Sequence, residues 1–339
     1  MSGVHACAPA RVALAGNPSD GYGGATVSLA IANFWARASV GEADRLEIRS
    51  GPHGVASFAS LGALVAEARG GGYGDPPRLL RGTLVRFWEL ARSRGLDLSE
   101  AKVAIGYETT VPAEVGLGGS SAVVVASMLA LCKRFGIAVE SEELPALALS
   151  VETEELGVAA GLQDRVAQVL GGLTYMDFDP AHGRPRCEAL RARALPPLLV
   201  AWDPDTGAAS GLVHSGLRRR FEGGEREVVR AMVELAAQAA RAREAVLGGN
   251  VGALGEAMDA SFEIRRSILE LDPRHVRLIE LARAHGCAAN YAGSGGAIAA
   301  LCCDESRPGE LERAFAGAGL GCERCRPAPA AGVVAGAGC

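Results

Sequence analysis

The sequence lacks the features that mark nucleic-acid-binding and membrane-spanning chains. It has no basic tract that could follow a phosphate backbone, because arginine and glutamate are intermixed along the chain. The net charge is -5. No apolar run approaches the roughly 20 residues that a membrane-spanning helix needs. The N-terminus passes into a strand pattern without the architecture of a signal peptide. We therefore expect no nucleic-acid or membrane partner and a cytoplasmic location.

The cysteine pattern lacks the regularity of a disulfide framework. The nine cysteines are an odd number scattered along the chain without a secretion signal, which predicts reduced thiols. Cys322 and Cys325 form a C-x-x-C pair, which could bind a metal or change redox state. No second pair and no histidines at ligand spacing accompany them, so the pattern favours two ordinary thiols.

The composition and length indicate an ordinary globular protein of two domains. Hydrophobic residues make up 49% and charged residues 22%, and 339 residues exceed the usual size of one domain. Strand patterns are mixed with helical periodicity at 76–94, 123–135, 141–156, 159–170, 225–247, 251–270 and 308–317. A proline-rich polar stretch at 180–197 interrupts this periodicity. We predict an α+β fold with domains at 1–195 and 196–339.

A glycine-rich loop, PAEVGLGGSSA from Pro112 to Ala122, lies between a predicted strand at 103–107 and a predicted helix. Glycines let a ligand approach the backbone, and free N–H groups at a helix start attract anions, so the loop can hold a triphosphate. A tight turn with a serine N-cap is the structural alternative. No lysine follows the last glycine, so this is not a Walker A sequence.

Two acidic residues follow the loop at positions suited to phosphoryl transfer. Glu152 and Asp164 fall near and within the next two predicted helices. A carboxylate can share a magnesium ion with a hydroxyl, and a second carboxylate can take the proton of the acceptor. Acidic residues on helices are more often simply solvated. The pair therefore gains its meaning only together with other motifs.

Three motifs in this order resemble the superfamily of galactokinase, homoserine kinase, mevalonate kinase and phosphomevalonate kinase (GHMP). They are APARVALAGNPSD from Ala8 to Asp20, the glycine loop, and YAGSGGA from Tyr291 to Ala297. The resemblance spans almost the whole chain. It implies an N-terminal domain like ribosomal protein S5 domain 2 and a ferredoxin-like C-terminal domain, with ATP and substrate meeting in the cleft.

Within the superfamily the sequence is most similar to glucuronokinases, through NPSDGY at 17–22, GLQDRVAQVLGG at 161–172 and YMDF at 175–178. The resemblance implies an enzyme that transfers phosphate from ATP to the anomeric hydroxyl of a sugar, which we expect to be D-glucuronate. It implies Asp164 as catalytic base or orienting carboxylate and Arg11 as the cation beside the transferred group. Ser120 and Glu152 would hold Mg²⁺.

The same resemblance implies two sets of binding residues. The ATP-binding residues would be Pro112, Gly116, Leu117, Gly118, Gly119, Ser120, Ser121 and Ala122. The substrate-binding residues would be Asn17, Ser19, Asp20, Gly293, Ser294, Gly295 and Gly296.

The sequence leaves several alternatives open. The loop reads GLGGSSA where the superfamily commonly has GLGSSAA, so Ser121 competes with Ser120 for the metal, and Glu154 and Glu155 compete with Glu152.

A uronate needs a cation for its carboxylate, and the candidates by residue type are Arg165, His214, Arg218, Arg219, Arg265 and Arg266. The rival functions are a kinase for a neutral sugar, a heptose phosphate or mevalonate, and a non-catalytic binding protein. We expect a monomer or homodimer.

Overall fold

The computed structural model describes residues 3–49, 54–73, 77–191, 196–205, 210–304 and 307–331, with only the backbone path described at 210–215. Within these ranges the chain forms two β-sheets with helices packed on both. The predicted α+β fold class is therefore confirmed.

A seven-stranded sheet dominates the first half of the chain. Its strands are β1 (Gly3–Ala15), β2 (Ala25–Glu42), β3 (Leu46–Arg49), β4 (Val55–Phe58), β5 (Val103–Thr109), β6 (Leu173–Asp177) and β7 (Arg186–Ala189). The order is β4-β3-β5-β2-β6-β7, with β1 paired to β2. The long strand β2 pairs β5 through its second half and β6 through its first, so it organises the whole sheet.

A four-stranded antiparallel sheet forms the second half. Its strands are β8 (Leu198–Trp202), β9 (Cys287–Tyr291), β10 (Ala297–Cys302) and β11 (Gly321–Arg324). Their order is β11-β8-β10-β9. The turn between β9 and β10 carries the third glycine motif, so the hairpin geometry displays that motif at one end of the small sheet.

Apolar periodicity predicted most of the helices, and the structure adds others that were not predicted, at 61–71 and 210–222. They are α1 (Leu61–Gly71), α2 (Arg78–Ser93), α3 (Gly119–Phe135), α4 (Leu144–Ser150), α5 (Gln163–Leu170), α6 (Ser210–Glu222), α7 (Arg226–Leu247), α8 (Val251–Ile268), α9 (Pro273–Ala284) and α10 (Arg307–Gly317). Helix α3 is apolar on nearly all sides and is correspondingly buried, with Val124, Val125 and Met128 fully inaccessible.

The two halves share a hydrophobic core. Leu14 and Leu29 of the large sheet pack in one cluster with Ala242 of α7, Met258 of α8 and Val200 of the small sheet. Because this core is continuous across the two sheets, the loops at their junction are held rigidly relative to one another. The cavity described below lies at that junction.

Several predicted elements differ from the structure in detail. The helical pattern at 141–156 corresponds to a helical segment that changes type, because α4 ends at Ser150 and the chain continues as a π-helical turn at Val151–Glu155. The stretch at 180–197 contains a strand, β7, which pairs with β6. The domain boundary at 195/196 stays a prediction. The last described residues return to the first half, where the N–H of Ala328 donates to the carbonyl of Ala30 at 2.9 Å.

The structure partly corrects the expectation that all cysteines are reduced thiols. Seven described cysteines are free, but Cys7 is disulfide-bonded. Counting cysteines cannot show which thiols a fold brings together. Cys322 and Cys325 are free, and burial raises the pKa of both thiols, so both stay protonated near neutral pH. Among the described residues no group of three or more metal-ligating His, Cys, Asp or Glu side chains occurs.

Candidate active site

A cavity of about 630 Å³ lies where the three motifs meet. The predicted site residues that line it are Arg11, Asn17, Asp20, Pro112, Gly116, Leu117, Gly118, Gly119, Ser120, Glu152, Asp164, Gly293 and Ser294. These residues come from both halves of the chain. The structure therefore brings most of the predicted site together in one place.

The glycine loop forms the start of helix α3. Gly118 is the N-cap residue and has a left-handed backbone, φ 75°, which favours glycine. A methyl group built on Gly118 would lie 2.9 Å from Nε2 of Gln168 and 3.5 Å from Oδ2 of Asp164. Glycine at this position thus leaves room for the side chains of Gln168 and Asp164 beside the start of α3, whose first N–H groups suit an anion.

Arg11 and Asp164 form an ion pair at the centre of the site, in which Arg11 is buried and Asp164 keeps partial contact with solvent. Nε of Arg11 donates to Oδ1 of Asp164 at 2.8 Å, and Nη2 lies 2.7 Å from the same oxygen. Nη1 of Arg11 donates to the carbonyl oxygens of Gly116 and Ala292, at 2.7 and 2.8 Å. One guanidinium therefore connects the first motif, the glycine loop, the third motif and the predicted catalytic carboxylate.

Glu152 lies beside Ser120 on the wall of the same cavity. Ser120 Oγ donates to Oε1 of Glu152 at 2.8 Å, and Oε2 of Glu152 forms a salt bridge with Nη2 of Arg165. Glu152 and Arg165 are almost completely buried. The π-helical turn at 151–155 carries Glu152, and such turns are frequent at functional sites because they change the direction of a side chain.

The two alternative glutamates point elsewhere. Glu154 forms a salt bridge with Arg86 at 3.1 Å, and Glu155 accepts a hydrogen bond from the Tyr73 hydroxyl. Neither residue lines the cavity. Of the three glutamates of this segment, Glu152 alone faces the glycine loop.

The pair of Ser120 and Glu152 fits a magnesium ion that is held together with phosphate. Mg²⁺ is bound in such sites by one or two carboxylates and by substrate phosphates and water, rather than by a protein cage. Ser120 and Glu152 supply one hydroxyl and one carboxylate, 2.8 Å apart, next to the helix start that suits a phosphate. Ser121 is fully buried and its hydroxyl donates to the carbonyl of Gly118 at 2.9 Å, so it has a structural partner instead.

Asp20 also lines the cavity, close enough to Asp164, Arg11 and Arg165 to interact with their charges. The N–H of Gln163 donates to Oδ2 of Asp20 at 3.3 Å. Burial, and then the negative charge of Asp164, raises the pKa of Asp20 to about 6. A carboxylate in this position can accept hydrogen bonds from hydroxyl groups of a ligand.

The third motif packs directly on the glycine loop. A methyl group on Gly293 would overlap the carbonyl oxygen of Gly116. Nη1 of Arg265 donates to the carbonyl of Gly293 at 2.7 Å, and Nη2 donates to the carbonyl of Ser294 at 2.8 Å. Burial lowers the pKa of Arg265 to about 10. Arg265 therefore holds the backbone of the third motif in place through these two hydrogen bonds.

Some predicted site residues lie behind the cavity wall. Ser19, Ser121, Ala122, Gly295 and Gly296 do not line the cavity. Ser19 is buried and its hydroxyl donates to the carbonyl of Ala25 at 2.9 Å. Asn17 lines the cavity, but its amide donates to the carbonyl of Tyr291 and accepts from Asn290. These residues shape the loops that present the site.

The structure distinguishes among the residues that were candidates to bind a substrate carboxylate. Arg165 and Arg265 are buried and engaged, as described above, and Arg219 and Arg266 are exposed outside the cavity. Arg218 lines the cavity. The side chain of His214 lies outside the described residues.

Sequence reasoning missed two glutamines that hold the site. Nε2 of Gln168 donates to the carbonyl of Gly118 at 2.8 Å, and Nε2 of Gln163 donates to the hydroxyl of Ser28 at 2.7 Å. Gln168 follows Asp164 by four residues on α5, so both side chains lie on one face of that helix. This spacing of four residues on a predicted helix was the sequence signal that could have identified Gln168 as a neighbour of the site.

No helix in the described ranges is long and apolar enough to cross a membrane.

Two family models match the chain. "GHMP kinases N terminal domain" matches residues 80–172, and "GHMP kinases C terminal" matches residues 236–319. The chain is 37% identical over 304 residues to "Probable glucuronokinase 2" of Arabidopsis thaliana, covering 86% of this chain and 82% of that protein. It is 35% identical over 303 residues to "Glucuronokinase 1" of the same plant, covering 86% and 83%.

The fold comparison agrees with these matches. The solved structure of Lactococcus lactis galactokinase complexed with galactose superposes with a TM-score of 0.78 at 16% identity, over 98% of this chain and 95% of that chain. This likeness concerns the fold alone. The chain belongs to the GHMP kinase family, and within it the resemblance to glucuronokinases is confirmed. The predicted two-domain GHMP fold is likewise confirmed.

Proposed function

We propose that this kinase transfers the γ-phosphoryl group of ATP to the anomeric hydroxyl of D-glucuronate, giving D-glucuronate 1-phosphate and ADP. The observation that carries the proposal is the 35–37% identity to two glucuronokinases over 86% of the chain. The geometry supports it, because one cavity contains an anion-binding helix start, a central carboxylate and a second carboxylate on the acceptor side.

Asp164 acts on the acceptor hydroxyl. It lies beside Gly118 of the glycine loop and close enough to Asp20 to raise the pKa of that residue, and Arg11 fixes its orientation through two contacts to Oδ1. Asp164 orients the anomeric O–H and takes its proton as the bond from that oxygen to the γ-phosphorus forms and the bond from phosphorus to the bridging oxygen of ADP breaks. Such positioning is most of what phosphoryl transfer requires from a protein.

Charge on the phosphoryl oxygens is stabilised by groups already in place. The N–H groups at the start of α3 and the guanidinium of Arg11 line the cavity, and Arg11 acts through its positive charge while it stays bound to Asp164 and to two carbonyl oxygens. Ser120 and Glu152 would hold Mg²⁺, which would neutralise phosphate charge when bound. Asp20 accepts hydrogen bonds from ring hydroxyls and so sets the orientation of the sugar.

The experiment is a comparison of acceptors with ATP. We expect D-glucuronate to exceed D-glucose and D-galactose in kcat/KM by about 100-fold or more, since an unpaired cation in the site penalises a neutral sugar. Phosphorus NMR should show coupling to the anomeric carbon and proton of the product. Comparable constants for glucuronate and a neutral hexose, or activity on mevalonate alone, would contradict the proposal.

A further inference from the structure

We infer that Arg218 binds the carboxylate of the acceptor sugar and is the residue that selects a uronate over a neutral hexose. This inference rests on the proposed function and names the group that would give it its specificity. None of the sequence motifs contains Arg218. Its assignment comes from the position of helix α6 relative to the first motif.

Helix α6 lies against the turn that carries Asp20. The rings of Tyr22 and Phe221 are 4.7 Å apart, centroid to centroid, and Leu217 is buried in the same cluster. The guanidinium carbon of Arg218 lies 5.9 Å from the centre of the Tyr22 ring. A methyl group built on Gly21 would be 3.8 Å from Nη2 of Arg218. The cation therefore stands beside the residues that directly follow Asp20.

The other arginines that line the cavity have partners. Arg11 is bound to Asp164 and to two carbonyl groups, and Arg165 is bound to Glu152 and to the carbonyl of Gly161. Arg78 also has an interaction of its own. Arg218 forms no salt bridge with a carboxylate whose side chain the structure describes, and it is exposed to the cavity. It is thus available to a ligand anion.

The charges of the cavity divide into two groups. Arg11 with Asp164 and Arg165 with Glu152 form ion pairs on the side where phosphate is transferred. Asp20 lies close enough to these pairs to interact with Asp164, Arg11 and Arg165, whereas Arg218 stands beside Gly21 and is free of such a pair among the described side chains. A hexuronate has its anomeric hydroxyl and its carboxylate on opposite sides of the ring oxygen, so it can offer one to Asp164 and the other to Arg218.

A guanidinium suits this role better than a lysine would. Its planar fork can donate two parallel hydrogen bonds to one carboxylate, and the face of Tyr22 restricts its orientation. Because Arg218 is accessible to solvent, salt should weaken its discrimination. A phosphate on the sugar would satisfy the same fork, so sugar phosphates must be tested beside uronates.

The test compares Arg218→Gln with Arg219→Gln, which removes the same charge from the next residue of the helix, outside the cavity. Acceptors are D-glucuronate, its neutral isostere D-glucuronamide, D-glucose and D-glucose 6-phosphate. We expect Arg218→Gln to reduce the ratio of kcat/KM for glucuronate over glucuronamide by about 10- to 100-fold, the range of a charged hydrogen bond, mainly through KM. Arg218→Lys should recover part of the ratio. Calorimetric titration with ATP checks that each variant is folded.

The outcomes separate the inference from the proposed function. A wild-type enzyme that prefers glucuronate, with the preference intact in Arg218→Gln or lost in Arg219→Gln, would overturn the assignment of Arg218 alone. A wild-type enzyme with equal constants for glucuronate and glucuronamide, or with a better constant for glucose 6-phosphate, would overturn the proposed function and this inference with it.

Discussion

Arg11 and Asp164 are 153 positions apart in the sequence, yet the guanidinium of the first contacts Oδ1 of the second at 2.7 and 2.8 Å. Arg11 comes from β1 and Asp164 from the first turn of α5. Because the same guanidinium also binds the carbonyl oxygens of Gly116 and Ala292, the position of the carboxylate is fixed relative to the glycine loop. Preorganisation of this kind is what in-line transfer needs.

Replacement of the central carboxylate should separate catalysis from nucleotide binding. For Asp164→Asn we expect kcat to fall by about 10²- to 10⁴-fold, because general-base assistance is lost, while the Kd of ATP changes less than about threefold. Asp177→Asn is the control, since that carboxyl has similar exposure and a partner, His182, outside the cavity. Near-normal turnover in Asp164→Asn would refute the role of Asp164.

A side chain at the N-cap of α3 should weaken ATP binding. In Gly118→Ala the new methyl group would meet Gln168 at 2.9 Å and strain a left-handed residue, so we expect the Kd of ATP to rise about tenfold or more. Gly136→Ala is the matched control. Gly136 ends the same helix with φ 67° and has open space around it, so its substitution should cost about 1 kcal/mol of stability. Equal ATP affinities in the two variants would argue against the loop as the phosphate site.

The two serines of the loop should differ in magnesium dependence. Ser120→Ala removes the hydroxyl that faces Glu152, and we expect the Mg²⁺ concentration for half-maximal velocity to rise about tenfold, equivalent to ~1.4 kcal/mol. Ser121→Ala removes a hydroxyl bound to the Gly118 carbonyl, so it should lower stability by about 1 kcal/mol without this shift. If Ser121→Ala raised the required Mg²⁺ concentration and Ser120→Ala did not, Ser121 would be the metal ligand instead.

The raised pKa of Asp20 should make the free protein less stable at higher pH. The carboxyl titrates near 6 when folded and near 3.8 when unfolded, so the native state binds more protons and stability falls as pH rises from about 4 to 6. Asp20→Asn should therefore be more stable than the wild type at pH 8, by about 1–3 kcal/mol given the partial solvent contact of this side chain.

Urea unfolding at pH 5 and pH 8 measures this effect. The advantage of Asp20→Asn should be about half as large at pH 5, while kinase activity falls at pH 8, where the amide replaces one acceptor oxygen of the ionised carboxylate with an N–H donor. A stability gain that is the same at both pH values would show that Asp20 does not titrate as described.

The sequence by itself determined the elements and the motifs. Strand β5, the glycine loop and helix α3 are specified locally, because apolar periodicity and glycine chemistry act over a few residues. The three motifs identified the superfamily, and Arg11, Glu152 and Asp164 could be named before any contact was known.

Only the tertiary structure decided between neighbouring residues of the same type. Ser120 rather than Ser121, and Glu152 rather than Glu154, face the cavity because the direction of each side chain depends on helix rotation and on the π-helical turn at 151–155. The bond at Cys7 and the access of Arg218 to the cavity depend on packing between distant segments. The local sequence pattern predicts which residues belong to a helix or strand. Contacts between residues more than a hundred positions apart form only when the sheets and helices pack, so the local pattern does not predict them.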